Sequence, residues 1–207
     1  MTRAVDAALF DFGGVIVDSP FTALDDAIGT PGVLRVVNST DPDGNAWAQL
    51  ERGQIDADRF AALFAAEAAE LGHPDVDGRA VVDTLLALGA TRAHARPAML
   101  AAVQRCRDTG VRTVLVTNNV SSMRTNPAST WVYEAFDGVL ESCVVGVRKP
   151  DPEFYRLALD TAGAEASRTV MLDDLGINLK PARALGMRTI KVVDPQAAVT
   201  ELAALLD

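Results

Sequence analysis

Ala7-Ala8-Leu9-Phe10-Asp11-Phe12-Gly13-Gly14-Val15 opens the chain with a short apolar run that stops on an aspartate. A second run, Thr169-Val170-Met171-Leu172-Asp173-Asp174, does the same near the other end. A short apolar run without helical period reads as a strand buried on both faces. A carboxylate at the carboxyl end of such a strand lies where open α/β sheets place their ligands. Three carboxylates converging there repel one another and invite a hard cation such as Mg²⁺. Position 13, where a fourth acidic group would be at home, is glycine.

Between these two runs the pattern changes once. From Ser19 to about Ala95 the signals are helical. Asp56 is placed to cap a helix running to Leu71, with Phe60, Leu63, Phe64 and Leu71 on one face and Gly72 at its end. Asp77 is placed to cap another that ends near Gly89, and a shorter helix from Ala46 to Arg52 stops at Gly53. Asp18, with Ser19-Pro20, reads as the cap of the first helix of this stretch. From Pro97 onward strands and helices alternate. Pro97 opens a helix that Gly110 closes, and Val111 to Val116 reads as a strand ending in Thr117-Asn118-Asn119. Gly138 to Cys143 reads as a short strand, Asp151-Pro152 as a helix start, Pro181 to Leu185 as a helix and Arg188 to Val193 as a last strand.

Alternation at this spacing predicts an α/β fold, a Rossmann-like doubly wound parallel sheet. The helical stretch interrupts it directly after the first strand. We therefore expect a core of residues 1–17 and 96–207 carrying an inserted helical cap, residues 18–95.

Bulk composition narrows the function classes. The chain has 207 residues, 49% of them hydrophobic, which suits one sizeable core with an insertion. A net charge of −9 offers no basic excess for phosphate backbones, so nucleic acid is not an expected partner. No run is long and apolar enough to span a membrane. Two cysteines, Cys106 and Cys143, form no disulfide framework, and the start lacks the long apolar stretch of a signal peptide, so a reducing cytoplasm is expected. Both monomer and homodimer remain open.

Four segments fall at or just after strand ends: Asp11 to Val15, Thr117-Asn118-Asn119, Arg148-Lys149-Pro150, and Asp173-Asp174 with Asn178. Asp11 suits a carboxylate nucleophile. Thr117 offers a hydroxyl, and the Asn118 main-chain N–H a second donor, to phosphate oxygens. Lys149 offers a point charge for a transferring phosphoryl group. Asp11, Asp174 and the carbonyl of Gly13 together can hold Mg²⁺ through oxygen. Taken singly, each has a plainer reading: a strand-to-turn exit at Asp11, a capped loop at Asn118, a solvated Lys149, a helix cap at Asp173-Asp174. Four loops mimicking one site in the right order is the less economical account. Arg52 and the Trp131 to Tyr133 region read as an exposed arginine and aromatics covering the core, Cys143 as a buried strand cysteine, and His73 and His94 belong to no ligand cluster.

These segments resemble the haloacid dehalogenase-like (HAD) superfamily, subfamily IA, with a C1-type α-helical cap. The likeness rests on Phe10 to Val15, Glu51-Arg52-Gly53, Thr117-Asn118-Asn119, Ser142 to Pro152 and Leu172 to Arg183, and it covers essentially the whole chain. It is nearest to phosphatase domains such as the N-terminal domain of soluble epoxide hydrolase and those fused to some acyl-CoA dehydrogenases. The resemblance implies that Asp11 is the nucleophile, Thr117 and Asn118 bind phosphate, Lys149 neutralises charge and Asp174 binds Mg²⁺. It implies also that Asp173 and Asn178 orient the metal site and Lys149.

Most phosphatases of that superfamily carry a second aspartate two residues after the nucleophile, as general acid and then base. Gly13 does neither job, although some relatives with glycine there are regarded as phosphatases. The expected function is an Mg²⁺-dependent phosphatase of a small phosphorylated metabolite, slowed at position 13 and favouring leaving groups that need little protonation. A binding or regulatory protein without turnover is the second expectation, and a metal-free haloacid dehalogenase the third.

Overall fold

The computed structural model describes residues 3–29, 32–89, 92–124 and 126–206. The first strand, β1 (Ala7–Phe10), leads into five helices: α1 (Phe21–Ile28), α2 (Val33–Ser39), α3 (Ala46–Glu51), α4 (Ala57–Glu70) and α5 (Gly78–Gly89). The chain then returns through α6 (Pro97–Asp108) to β2 (Arg112–Thr117). Two short helices, α7 (Ser121–Arg124) and α8 (Thr130–Ala135), lead to β3 (Gly138–Glu141) and α9 (Ser142–Val145). The last part runs α10 (Pro152–Ala162), β4 (Thr169–Asp173), α11 (Gly176–Ala184), β5 (Arg188–Lys191) and α12 (Pro195–Leu206).

All strand pairs are parallel, in the order β3-β2-β1-β4-β5, so the sheet is open and doubly wound. Strand pleating splits the apolar runs between two layers. Ala8 and Phe10 face Met99, Val103 and Leu202, whereas Ala7 and Leu9 face Phe154, Tyr155 and Leu179. The helical stretch has a core of its own, built around Leu24, Trp47, Phe60, Phe64 and Val81. Burying a separate apolar cluster is what lets such an insertion hold its shape beside the sheet.

The cap residues behave as their chemistry dictates at two of three sites. Asp56 accepts from the Arg59 N–H at 2.8 Å and Asp77 from the Arg79 N–H at 2.8 Å, satisfying helix-start donors. Asp18 does not cap α1. Its carboxylate pairs with Arg96 at 3.0 Å, across the two crossings between sheet and helical stretch. Arg96 also donates to the Gly14 carbonyl, and Val17 bridges Ala95. The favoured partner for Asp18 is thus a charge brought in by the tertiary fold rather than a local amide.

Other boundaries shift too, and the last strand stops at Lys191, short of Val193. Ser142 and Cys143 turn into α9 instead of extending β3, so Cys143 is half-buried in a helical turn. Here the Ser142 hydroxyl donates to the Glu51 carbonyl in α3, a contact invisible to local pattern. Helix α11 begins at Gly176, with Pro181 inside it. β2 starts at Arg112, one residue late.

Candidate active site

Strand register delivers the acidic groups to one place. Phe10 pairs with Leu115 and with Leu172, so the next residues, Asp11 and Asp173, emerge side by side at the carboxyl edge. Thr117 ends β2 on the same edge. Lys149, only 2% exposed, reaches in from the loop before α10 and places its Nζ 2.7 Å from Asp11 Oδ1 and 2.9 Å from Asp173 Oδ2. Asp173 also accepts from the Leu175 N–H at 2.8 Å and from the Asn178 amide at 3.0 and 3.1 Å. These contacts hold the Asp173 carboxylate in place, and it in turn orients the Lys149 ammonium. Tyr155 donates to the Asn178 carbonyl at 2.6 Å and steadies that residue from behind. The Phe12 N–H donates to Asp11 Oδ1 at 2.7 Å and sets the plane of that carboxylate.

Asp11, Asp173 and Asp174 each offer an oxygen, all within 4.8 Å of one another. Gly14 makes room for the third. Its φ is +78°, and a Cβ there would run into the Asp174 carboxylate. An all-oxygen donor set of this charge fits a hard divalent cation better than a soft one.

The electrostatics of this cluster oppose its ionisation. Burial pushes the Asp11 carboxyl up to about 8, the charges of Asp173 and Asp174 add to that, and Lys149 pulls the other way. Burial also raises Asp174, with Asp173 next in effect. For Lys149, burial pulls down, but the carboxylates of Asp11 and Asp173 outweigh it and raise the ammonium to about 12. The site therefore holds a lasting positive charge beside carboxylates that need a further cation.

A second layer ties the helical stretch to this cluster. The Asn118 side chain brackets the Lys149 backbone, accepting from its N–H at 2.9 Å and donating to its carbonyl at 3.0 Å. Arg148 donates to that carbonyl at 3.2 Å. Glu51 of α3 holds both, at 3.2 Å from Arg148 and 3.3 Å from Asn118, and takes the Trp47 indole N–H at 2.9 Å. Glu51 is buried, and burial raises its carboxyl against the pull of Arg148. Sequence motifs place Glu51 in the likeness but give it no role. The one local signal is an acid four residues after Trp47, on the buried face of a short helix.

Glu51→Ala removes one partner of a mostly buried pair, so it should lower unfolding free energy by about 2 kcal/mol in denaturant titration, less than a fully buried pair because Arg148 is partly exposed. Glu51→Gln, which keeps two of the three contacts, should lose clearly less. Equal stability of Glu51→Ala and wild type would show that this tie contributes nothing.

An open cleft lies over the cluster, lined by Asp11, Gly13, Thr117, Asn118, Lys149, Asp174 and Asn178 on the sheet side. Other candidates lie elsewhere. Arg52 reaches back to the Asp43 carbonyl at 2.7 Å. Trp131 packs beside Phe12, ring centroids 6.2 Å apart, and Tyr133 donates to Glu141 at 3.0 Å. Burial raises the Cys143 thiol, which makes it a poor nucleophile.

The sequence model described as haloacid dehalogenase-like hydrolase matches residues 5–186. The chain is 34% identical over 211 residues to acyl-CoA dehydrogenase family member 10 of Mus musculus, across 99% of this chain and 19% of that protein. It thus spans about a fifth of that relative. Over 214 residues it is 29% identical to sesquiterpene phosphatase astK of Aspergillus oryzae, covering 100% of this chain and 99% of that one. Among solved structures, a HAD-family enzyme of Bacteroides thetaiotaomicron in complex with magnesium and inorganic phosphate superposes with a TM-score of 0.64 at 19% identity, covering 90% of this chain and 93% of that one. That likeness speaks to the fold.

Proposed function

The chain belongs to the haloacid dehalogenase-like hydrolase family, and from that premise we propose that it is an Mg²⁺-dependent phosphatase of a small phosphorylated metabolite. The observation that carries this reading is one buried ammonium, Lys149 Nζ, held between Asp11 and Asp173 with Asp174 beside them. Ionised Asp11 attacks the phosphorus, the ester P–O bond breaks, and the leaving oxygen departs with the bonding pair and takes its proton from solvent as an aspartyl phosphate forms. Water then attacks phosphorus, the Asp11–P bond breaks, and inorganic phosphate leaves. Lys149 neutralises the equatorial oxygens, helped by the Thr117 hydroxyl and the Asn118 main-chain N–H. Since the Asn118 side chain is committed to the Lys149 backbone, only its N–H serves the phosphate. Mg²⁺, held by Asp11, Asp174 and the Gly13 carbonyl, would supply further charge neutralisation. Residues 18–95 act as the cap over this cleft.

The test is a panel of phosphorylated metabolites with and without Mg²⁺, scored for released phosphate. Release that needs Mg²⁺ is expected; no release from any substrate sinks the reading. Gly13 specifically favours a second one, a ligand-binding protein without turnover. Binding of phosphate esters with no release would bear that out. Halide release from a 2-haloacid, independent of metal, would favour a dehalogenase instead.

The same cluster gives a stability prediction. Asp11 is raised from 3.8 to about 8 and Asp174 is raised too. A carboxyl with a raised folded value binds its proton more tightly in the folded state. Its contribution is complete below pH 4 and is lost as pH climbs through about 8. Lys149 stays charged throughout this window. The metal-free protein should therefore lose Tm between about pH 5 and 8, and Mg²⁺ should raise Tm more at pH 8 than at pH 5. A Mg²⁺ shift that is larger at pH 5 would contradict carboxylate ligation at this cluster.

A further inference from the structure

Above the phosphate end, the cleft changes character. Its upper wall is made by Pro20, Phe21, Trp47 and Leu85 from the helical stretch and by Val120 and Leu175 from the sheet loops. Phe21 and Trp47 lie against each other, ring centroids 6.3 Å apart. Polar side chains that reach this wall are already engaged. Glu51 is taken up by Trp47, Arg148 and Asn118. Asn119 donates to Glu141 at 2.6 Å while its own oxygen accepts from the Val120 N–H at 2.8 Å. Ser19 is the one hydroxyl outside the phosphate end among the described lining residues, and Lys149, the one cation among them, sits at the phosphate end between two aspartates.

A sugar or polyol phosphate would bury hydroxyls against carbon here, and an unmatched buried hydroxyl is costly. An apolar group would instead trade water for Phe21, Trp47 and Leu85. Resting on the phosphatase reading above for the identity of the charged end, we propose that the organic part of the substrate is an apolar alkyl, alkenyl or aryl group. The enzyme is thus selective for phosphate monoesters of hydrophobic alcohols over those of polyhydroxylated ones.

Non-hydrolysable n-alkylphosphonates separate this proposal from the catalytic one. Calorimetry with Mg²⁺ on methyl-, butyl- and hexylphosphonate should show Kd falling by about tenfold from methyl to butyl, below the full transfer value because the cleft is open on one side. 3,4-Dihydroxybutylphosphonate should bind more weakly than butylphosphonate. Phe21→Ser, at a partly exposed wall position, should flatten the chain-length dependence without moving Tm much. Affinity independent of chain length, or tighter binding of the dihydroxy analogue, overturns the proposal. Hydrolysis of p-nitrophenyl phosphate is read alongside. Turnover with a flat phosphonate series would remove the apolar preference and keep the phosphatase. A rising series without turnover would do the reverse.

Discussion

Asp11→Asn should abolish phosphate release from p-nitrophenyl phosphate, a fall of about 10⁴-fold or more in kcat, since loss of a nucleophile removes the covalent path altogether. The amide also loses the charge that pairs with Lys149 at 2.7 Å, so substrate phosphate should meet a freer ammonium and KM should change little or fall. The wild-type protein, quenched in acid during turnover, should carry phosphate on Asp11 by peptide mass spectrometry, and Asp11→Asn should carry none. Activity that survives Asp11→Asn would remove the proposed mechanism.

Gly13→Asp is the second large effect. General acid–base help is worth roughly 10²–10⁴-fold, and the wild-type chain has only hydrogen at that position. Alkyl phosphates, whose leaving alkoxides need a proton, should gain that much in kcat, and p-nitrophenyl phosphate much less. The new Cβ would lie 3.3 Å from Pro20 Cδ, a crowding that a few tenths of an ångström relieve. Before substitution, the protein should release a burst of p-nitrophenol and then turn over slowly, as the phosphorylated Asp11 waits for an unassisted water. Equal wild-type rates on alkyl and aryl esters would mean that another residue already does the work assigned to a second aspartate.

Asp11 and Asp173 could be read because a strand buried on both faces is apolar throughout, so its terminal carboxylate stands out. The helix caps at Asp56 and Asp77 were equally plain, because a capping bond closes within three residues. Asp18 was not. It carries the same local signal, but Arg96, 78 positions away in sequence, offers a charge that no nearby amide matches. Ser142 left its strand for the same kind of reason, a hydroxyl drawn to the Glu51 carbonyl across 91 positions.

The sheet, the helical insertion and the residue types at the charged end are legible in the chain, because period and turn chemistry are local properties. It takes the folded chain to bring the Asn118 side chain onto the Lys149 backbone, to set Asp174 where Gly14 leaves room for it, and to join α3 to the site through Glu51. Those facts depend on which distant groups arrive at hydrogen-bond distance. That is set by the register of the parallel strands and by how the helical layer packs over them.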